Sequence, residues 1–145
     1  MKRLLFLMSA VCLIFFSCKK DTSNVICTSL DGTWKMVLVK DNSTNTTITK
    51  PASLYGDVIV TFVSSDISNG IFNGNTPTND LGPDNYTLGF NRAIFIPSLK
   101  MTKVAETSWG LQFVSNIRDA QQYHLDSGEL LNIITTSKTL TFRKL

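Results

Sequence analysis

Any covalent, metal-centred or acid–base chemistry in this chain would have to run through three cysteines, one histidine and eleven carboxylates. Cys18 is the cysteine best placed for a reaction. It follows Ser17 at the end of an apolar run, and a small residue directly before a cysteine resembles a lipobox, in which the thiol is acylated and the cysteine becomes the new N-terminus. Cys12 suits this less well, because the β-branched Val11 precedes it and the apolar run continues beyond it. With Cys12 removed and Cys18 acylated, only Cys27 would remain, so the mature chain could form no intrachain disulfide even in an oxidising compartment.

The other chemistries are poorly supplied. Nucleophilic catalysis needs a nucleophile with a base oriented beside it. The lone His124 lies between Tyr123 and Leu125 on an expected strand, so it points away from both and toward solvent. Zinc takes three or four Cys, His or carboxylate ligands, and no Cys/His set can be assembled. Calcium sites show as closely spaced acids; Asp80 and Asp84, with Asn79 and Asn85, come nearest. Gly70, Gly74 and Gly82 lack both the lysine spacing and the strand-to-helix setting of a phosphate loop. The sequence therefore predicts no catalytic set, no metal and no cofactor.

Those few groups must be carried by something, and the start of the chain says where. Lys2 and Arg3 precede an apolar stretch from Leu4 to Phe16 broken only by Ser9, which reads as a secretory signal over residues 1–17. A membrane span needs roughly 20 apolar residues, so spanning is the poorer reading. Acyl chains on Cys18 would contribute roughly 0.8 kcal/mol per buried methylene, and two or three chains hold where one is marginal. The mature chain would thus reach a membrane through Cys18, in the cell envelope and at the outer membrane. Removal of Lys2 and Arg3 leaves 12 basic against 11 acidic residues. Near-neutrality gives no basic face for nucleic acid.

Residues 18–29 are mostly polar and read as a tether. A flexible linker of about 11 residues has an r.m.s. span of roughly 17 to 20 Å. Residues 30–145 suit one domain with one core, and their apolar period is mainly two, as half-buried strands require. Trp34, Met36 and Leu38 alternate with Lys35, Val37 and Val39, and Val58, Val60 and Phe62 with Ile59, Thr61 and Val63. A third strand is expected over residues 67–72. Residues 73–85, rich in glycine, asparagine and proline, read as a long polar loop. Strands at 86–88 and 93–96 flank Gly89-Phe90-Asn91 as a hairpin, and 123–125, 130–135 and 139–143 form a closing meander. The exception is residues 107–122, where Trp109, Phe113 and Ile117 recur four apart with Val114 and Ala120 beside them. That predicts a helix capped by Thr107 or Ser108, packed on the sheet despite Gly110.

The order of segments is similar to that of the META domain, the HslJ-like family. The residues that carry the likeness are Gly32-Thr33-Trp34-Lys35-Met36-Val37, the stretch from Gly74-Asn75-Thr76-Pro77 through Thr78-Asn79-Asp80-Leu81-Gly82 to Tyr86-Thr87-Leu88, then Met101-Thr102-Lys103-Val104-Ala105, and the closing Leu140-Thr141-Phe142. The resemblance implies a compact, strongly curved antiparallel sheet or small barrel-like fold with one packed helix, and no enzymatic activity. The family often has cysteine where Thr78 and Glu106 stand here, so the resemblance also implies a form that has lost a disulfide. Gly-Thr-Trp opens lipocalin-like domains as well.

Two functions follow as expectations. The first is a non-enzymatic, membrane-anchored envelope lipoprotein, a binding or stress-related structural domain whose partner is an envelope protein or component. The second is a lipocalin-like carrier of a small apolar ligand. A carrier needs an interior cavity, whereas Trp34, Phe62, Phe95, Trp109, Phe113 and Phe142 look sufficient to fill a small barrel. Binding is then expected on the surface, first at the loop 73–85 through Asn75, Asn79, Asp80, Asp84 and Asn85, because long polar loops carry function more often than short turns.

Overall fold

Alternating inward and outward side chains dominate the chain, and a computed structural model shows how they close on one another. It describes residues 29–127 and 129–145. The signal, Cys18, Cys27 and the tether up to residue 28 lie outside the described residues. Nine strands form one antiparallel sheet: β1 (Gly32–Asp41), β2 (Thr47–Thr49), β3 (Ile59–Ser64), β4 (Asn69–Asn75), β5 (Asp80–Leu88), β6 (Ile94–Phe95), β7 (Ala120–Asp126), β8 (Leu130–Thr135) and β9 (Lys138–Lys144). Their order is β6-β5-β4-β3-β1-β9-β8-β7, with β2 pairing β1 alone. A bridge between Ala93 and Gln122 joins the two ends of this path, so the sheet is a nearly closed barrel. Among the described residues the fold is mainly β with one packed α-helix, as the periodicity predicts.

β1 is long enough to serve two neighbours on one edge. Its first half pairs β3 (Gly32↔Phe62 to Lys35↔Ile59) and its second half pairs β2 (Leu38↔Thr49 to Lys40↔Thr47). Between the halves the register with β9 shifts, from Met36↔Phe142 to Leu38↔Thr141. Val37 is the extra residue of a bulge, and one extra residue reverses the faces beyond it. Trp34 and Met36 point inward as expected, but Val39 takes the inward place expected for Leu38.

Residues 73–85 are not a long loop. β4 runs to Asn75, β5 begins at Asp80, and only a four-residue turn separates them. Gly82 and Pro83 escape the usual strand penalties because they form a bulge: the register passes from Phe72↔Asp84 to Gly74↔Leu81, leaving two residues of β5 opposite one of β4. Proline is tolerated at bulges, and the Gly82 N–H is satisfied from outside the sheet by Lys100 O at 2.9 Å.

The helix is shorter than its stripe suggests. α1 covers Ser108–Val114, capped by Thr107, whose Oγ1 accepts from Gly110 N at 3.1 Å. A single 3-10 turn follows at Ile117–Asp119, and β7 begins at Ala120. Trp109, Phe113 and Ile117 are all buried, as the stripe requires. Ala120 is buried as well, but on a strand: pairing Ala120 to Asp126 with β8 satisfies a whole ladder, which a further helical turn carrying Gln121 and Gln122 could not match. Phe113 meets Phe142 edge-on at 6.3 Å, so the helix seals one end of the barrel. Phe95, expected inside, is 61% exposed because it lies outward on β6 opposite the exposed Thr87. Among the described residues no helix is long and apolar enough to cross a membrane.

Candidate functional site

Shortening the 73–85 loop to a hairpin changes what its polar residues do. Asn79 is buried in the turn and spends every donor and acceptor internally. Its Oδ1 accepts from Val104 N at 2.8 Å and Thr102 Oγ1 at 3.1 Å, while Nδ2 donates to Val104 O at 2.9 Å and Glu106 Oε2 at 3.0 Å. Asp84 is also buried. It accepts from Ser98 Oγ at 2.7 Å and from the Lys100 backbone N–H, with Lys100 Nζ 3.7 Å away. Both residues staple residues 98–106 across the end of β5, so neither is available to a ligand. Asn75 is half-buried and donates to Asp57 O at 3.1 Å. Asp80 and Asn85 alone of the five remain exposed. With Asp80 outward and Asp84 inward, the pair considered for calcium does not converge.

Glu106 completes this clasp and carries no motif that sequence reading selects. Thr76 Oγ1 and Thr107 N both donate to its carboxylate, the latter at 2.8 Å, beside the Asn79 amide. Burial alone would raise its pKa, yet these donors together outweigh burial and hold it below the ordinary glutamate value. A Cβ at Gly110 would collide with this carboxylate, which explains a glycine in the first turn of α1. The available signal was an acid directly before the cap with glycine three positions after it.

Because the folded-state pKa is depressed, the stabilising contribution of Glu106 is present above the unfolded value of about 4.3 and disappears as pH falls through the folded one. Glu106→Gln should therefore cost about 1.5 to 3 kcal/mol at neutral pH, with the gap to wild type closing below pH of about 4. Urea midpoints of both chains across pH test this; a gap that does not change with pH would refute it.

A second constellation sits on the outer face at the opposite end of the barrel. His124 projects outward, as expected, with 43% of its side chain exposed, but it is not idle. Arg92 Nη1 donates to Nδ1, and Nε2 lies 2.7 Å from Asp126 Oδ1. Arginine has no acceptor to offer, so Nδ1 is the accepting atom of that contact. Asp126 also accepts from Asn132 Nδ2 at 2.9 Å, and Asn132 accepts from Thr141 Oγ1 at 2.7 Å. This ladder crosses β7, β8 and β9. Both ring nitrogens are occupied by charged partners, so the set has a proton holder but neither a nucleophile nor a free base, and nothing in it indicates enzymatic activity. Among the described residues no three His, Cys, Asp or Glu side chains gather where they could hold a metal.

Two depressions lie near the helix-bearing end. One of about 310 Å³ is lined by Asp80, Leu81, Gly82, Lys100, Met101 and Thr102. The other, about 220 Å³, is lined by Ile48, Pro51, Ser108, Trp109 and Gln112. The barrel interior is occupied by rings: Phe62 stacks on Phe72 at 5.8 Å and meets Tyr86 edge-on at 5.2 Å.

No protein-family model matches the chain, and no match was found among curated proteins. Among solved structures, the NMR structure of a protein from Burkholderia xenovorans is similar, with a TM-score of 0.52 and 16% identity, covering 79% of this chain and 82% of that one. At this identity the likeness concerns the fold alone.

Proposed function

We propose that this chain is an exported lipoprotein of the cell envelope, held at the outer membrane by acyl chains on Cys18. Its barrel is a filled, non-enzymatic scaffold that engages an envelope protein or component through its surface. The observation that carries the scaffold reading is the ring-to-ring packing of Phe62, Phe72 and Tyr86, with Phe113 on Phe142 below the helix. Side chains that fill one another's space leave the interior to the core and move recognition outward. The META resemblance gains support from the adjacency of Thr78 and Glu106, the two places where the family often has cysteine: Asn79 Nδ2 donates to Thr78 Oγ1 at 3.0 Å and to Glu106 Oε2 at 3.0 Å. A lipocalin-like carrier is the second reading, favoured by the nearly closed barrel shape.

Native mass spectrometry of the protein purified from its own host separates the two. An apolar small molecule retained by the barrel supports the carrier, and an empty barrel that captures an envelope protein supports the scaffold. The anchor is tested by Cys18→Ala, which should convert a membrane-bound protein into a soluble or uncut one. If the variant is cut, lipid-free and still membrane-bound, the anchor lies elsewhere.

A further inference from the structure

We propose that the barrel end at which the chain enters rests on the lipid surface, with Phe90 and Ile67 buried in the headgroup layer. This deepens the lipoprotein reading and rests on it. Phe90 and Ile67 are 86% and 74% exposed, each at the tip of a turn. The two turns are neighbours: Leu88 N, leading into the first, donates to Ser68 O of the second at 2.6 Å. The described chain begins beside them, where Ser29 Oγ meets Ser64 Oγ at 3.3 Å and Asp31 Oδ1 accepts from Ser64 N at 2.6 Å, at the end of β3.

Exposure alone would not choose this end, because Tyr55 is 95% exposed near Pro77 at the other one. The tether chooses it. β5 has nine residues, about 30 Å of strand, or roughly 23 Å of barrel height once tilted by about 40°. The ten residues between Cys18 and Ser29 span at most about 35 Å when fully extended and far less on average. Presenting the Tyr55 end would require the tether to run the height of the barrel wall, beyond its r.m.s. span. Presenting the Phe90 end requires nothing.

The turns are also suited to a poorly hydrated layer, where an unpaired backbone group is costly. Ser65 N and Asp66 N both donate to Asn69 O, and Ala93 N donates to Phe90 O. Asp66 bonds the backbone of Ser68 and Asn69 within its own turn. The Phe90 turn is stiff: Asn91 and Arg92 have φ of 57° and 60°, a left-handed pair that non-glycine residues adopt only where the surroundings enforce it. Arg92 is pinned to His124, which leaves Phe90 as the projecting side chain.

The test uses the lipidated mature protein carrying Cys27→Ser, in phosphatidylethanolamine–phosphatidylglycerol vesicles, with a fluorescent probe on Ile67→Cys or on Tyr55→Cys. The probe at 67 should be shielded from aqueous iodide several-fold better than the probe at 55, and quenched by nitroxide lipids at a depth of about 5 to 10 Å. Adding Phe90→Ser should return it toward water. Equal iodide access at 67 and 55 on protein whose Cys18 carries acyl mass overturns the proposal and leaves the anchor standing. Iodide shielding without lipid quenching also overturns it, since a protein surface would then cover the face. If Cys18 carries no acyl mass, the anchor reading falls; lipid quenching at 67 would still sustain the face, and its absence would end both.

Discussion

Replacing Trp34 with alanine should destabilise the domain by about 3 to 5 kcal/mol, a large part of the roughly 5 to 15 kcal/mol that holds a domain of this kind together. Trp34 is 1% exposed on β1, between β3 and β9. Its Nε1 donates to Leu30 O at 2.8 Å, fixing the segment that enters the barrel, and Lys144 Nζ lies 5.5 Å from the centre of its ring. Truncation would open a cavity at the centre of the sheet and orphan a buried carbonyl. Trp34→Phe should lose less, because the ring area is largely kept while the hydrogen bond, about 1 kcal/mol net, is lost. Urea unfolding followed by far-UV circular dichroism measures both. An unchanged midpoint for Trp34→Ala would mean that the tryptophan is a surface ligand contact and not a core residue.

Gly74→Ala should be as damaging through a different cause. Gly74 has φ of 154°, and a Cβ built there would overlap Ile59 O while standing 2.9 Å from Val60 Cα. Both obstacles are backbone of the paired strand, so neither can rotate away. A loss above about 4 kcal/mol, or no folded protein, is expected. Gly82→Ala is the control. It lies on the same hairpin, but its added methyl would meet Lys100 Cβ at an ordinary 3.4 Å, so a change within about 1 kcal/mol is expected. Comparable losses at the two positions would show that the hairpin tolerates or rejects alanine for reasons other than this contact.

The hairpin also shows where sequence reading stops. Its residues 73–85 have the composition of a loop because glycine, proline and asparagine are depleted in strands. Four of them have a local reason that only pairing reveals: Gly74 for the approach of Ile59, Gly82 and Pro83 for a bulge, Asn79 for the strap that covers the edge of β5. Of the binding residues assigned to that loop, Asn79 and Asp84 are internal fasteners, whereas Asp80 and Asn85 stay exposed. Glu106 was missed for the complementary reason. Its partners Thr76 and Asn79 are 30 and 27 residues away, and no spacing rule reaches that far.

By itself the sequence determined the fold class, the inward face of β3 through Val60 and Phe62 with Val58 buried just before it, the burial of Trp34, and the buried stripe of Trp109, Phe113 and Ile117. These are consequences of period and of apolar side chains, which act on nearest neighbours along one element. The outward direction of His124 was determined in the same way. Only the tertiary structure decided that β1 changes face at Val37, that Phe95 lies outside, that the helix gives way to β7 after one further turn, and that Arg92 and Asp126 meet on either side of His124. Each of these depends on which strand lies beside which. Strand register is set by ladders between distant segments, and a shift of one residue turns every later side chain to the opposite face.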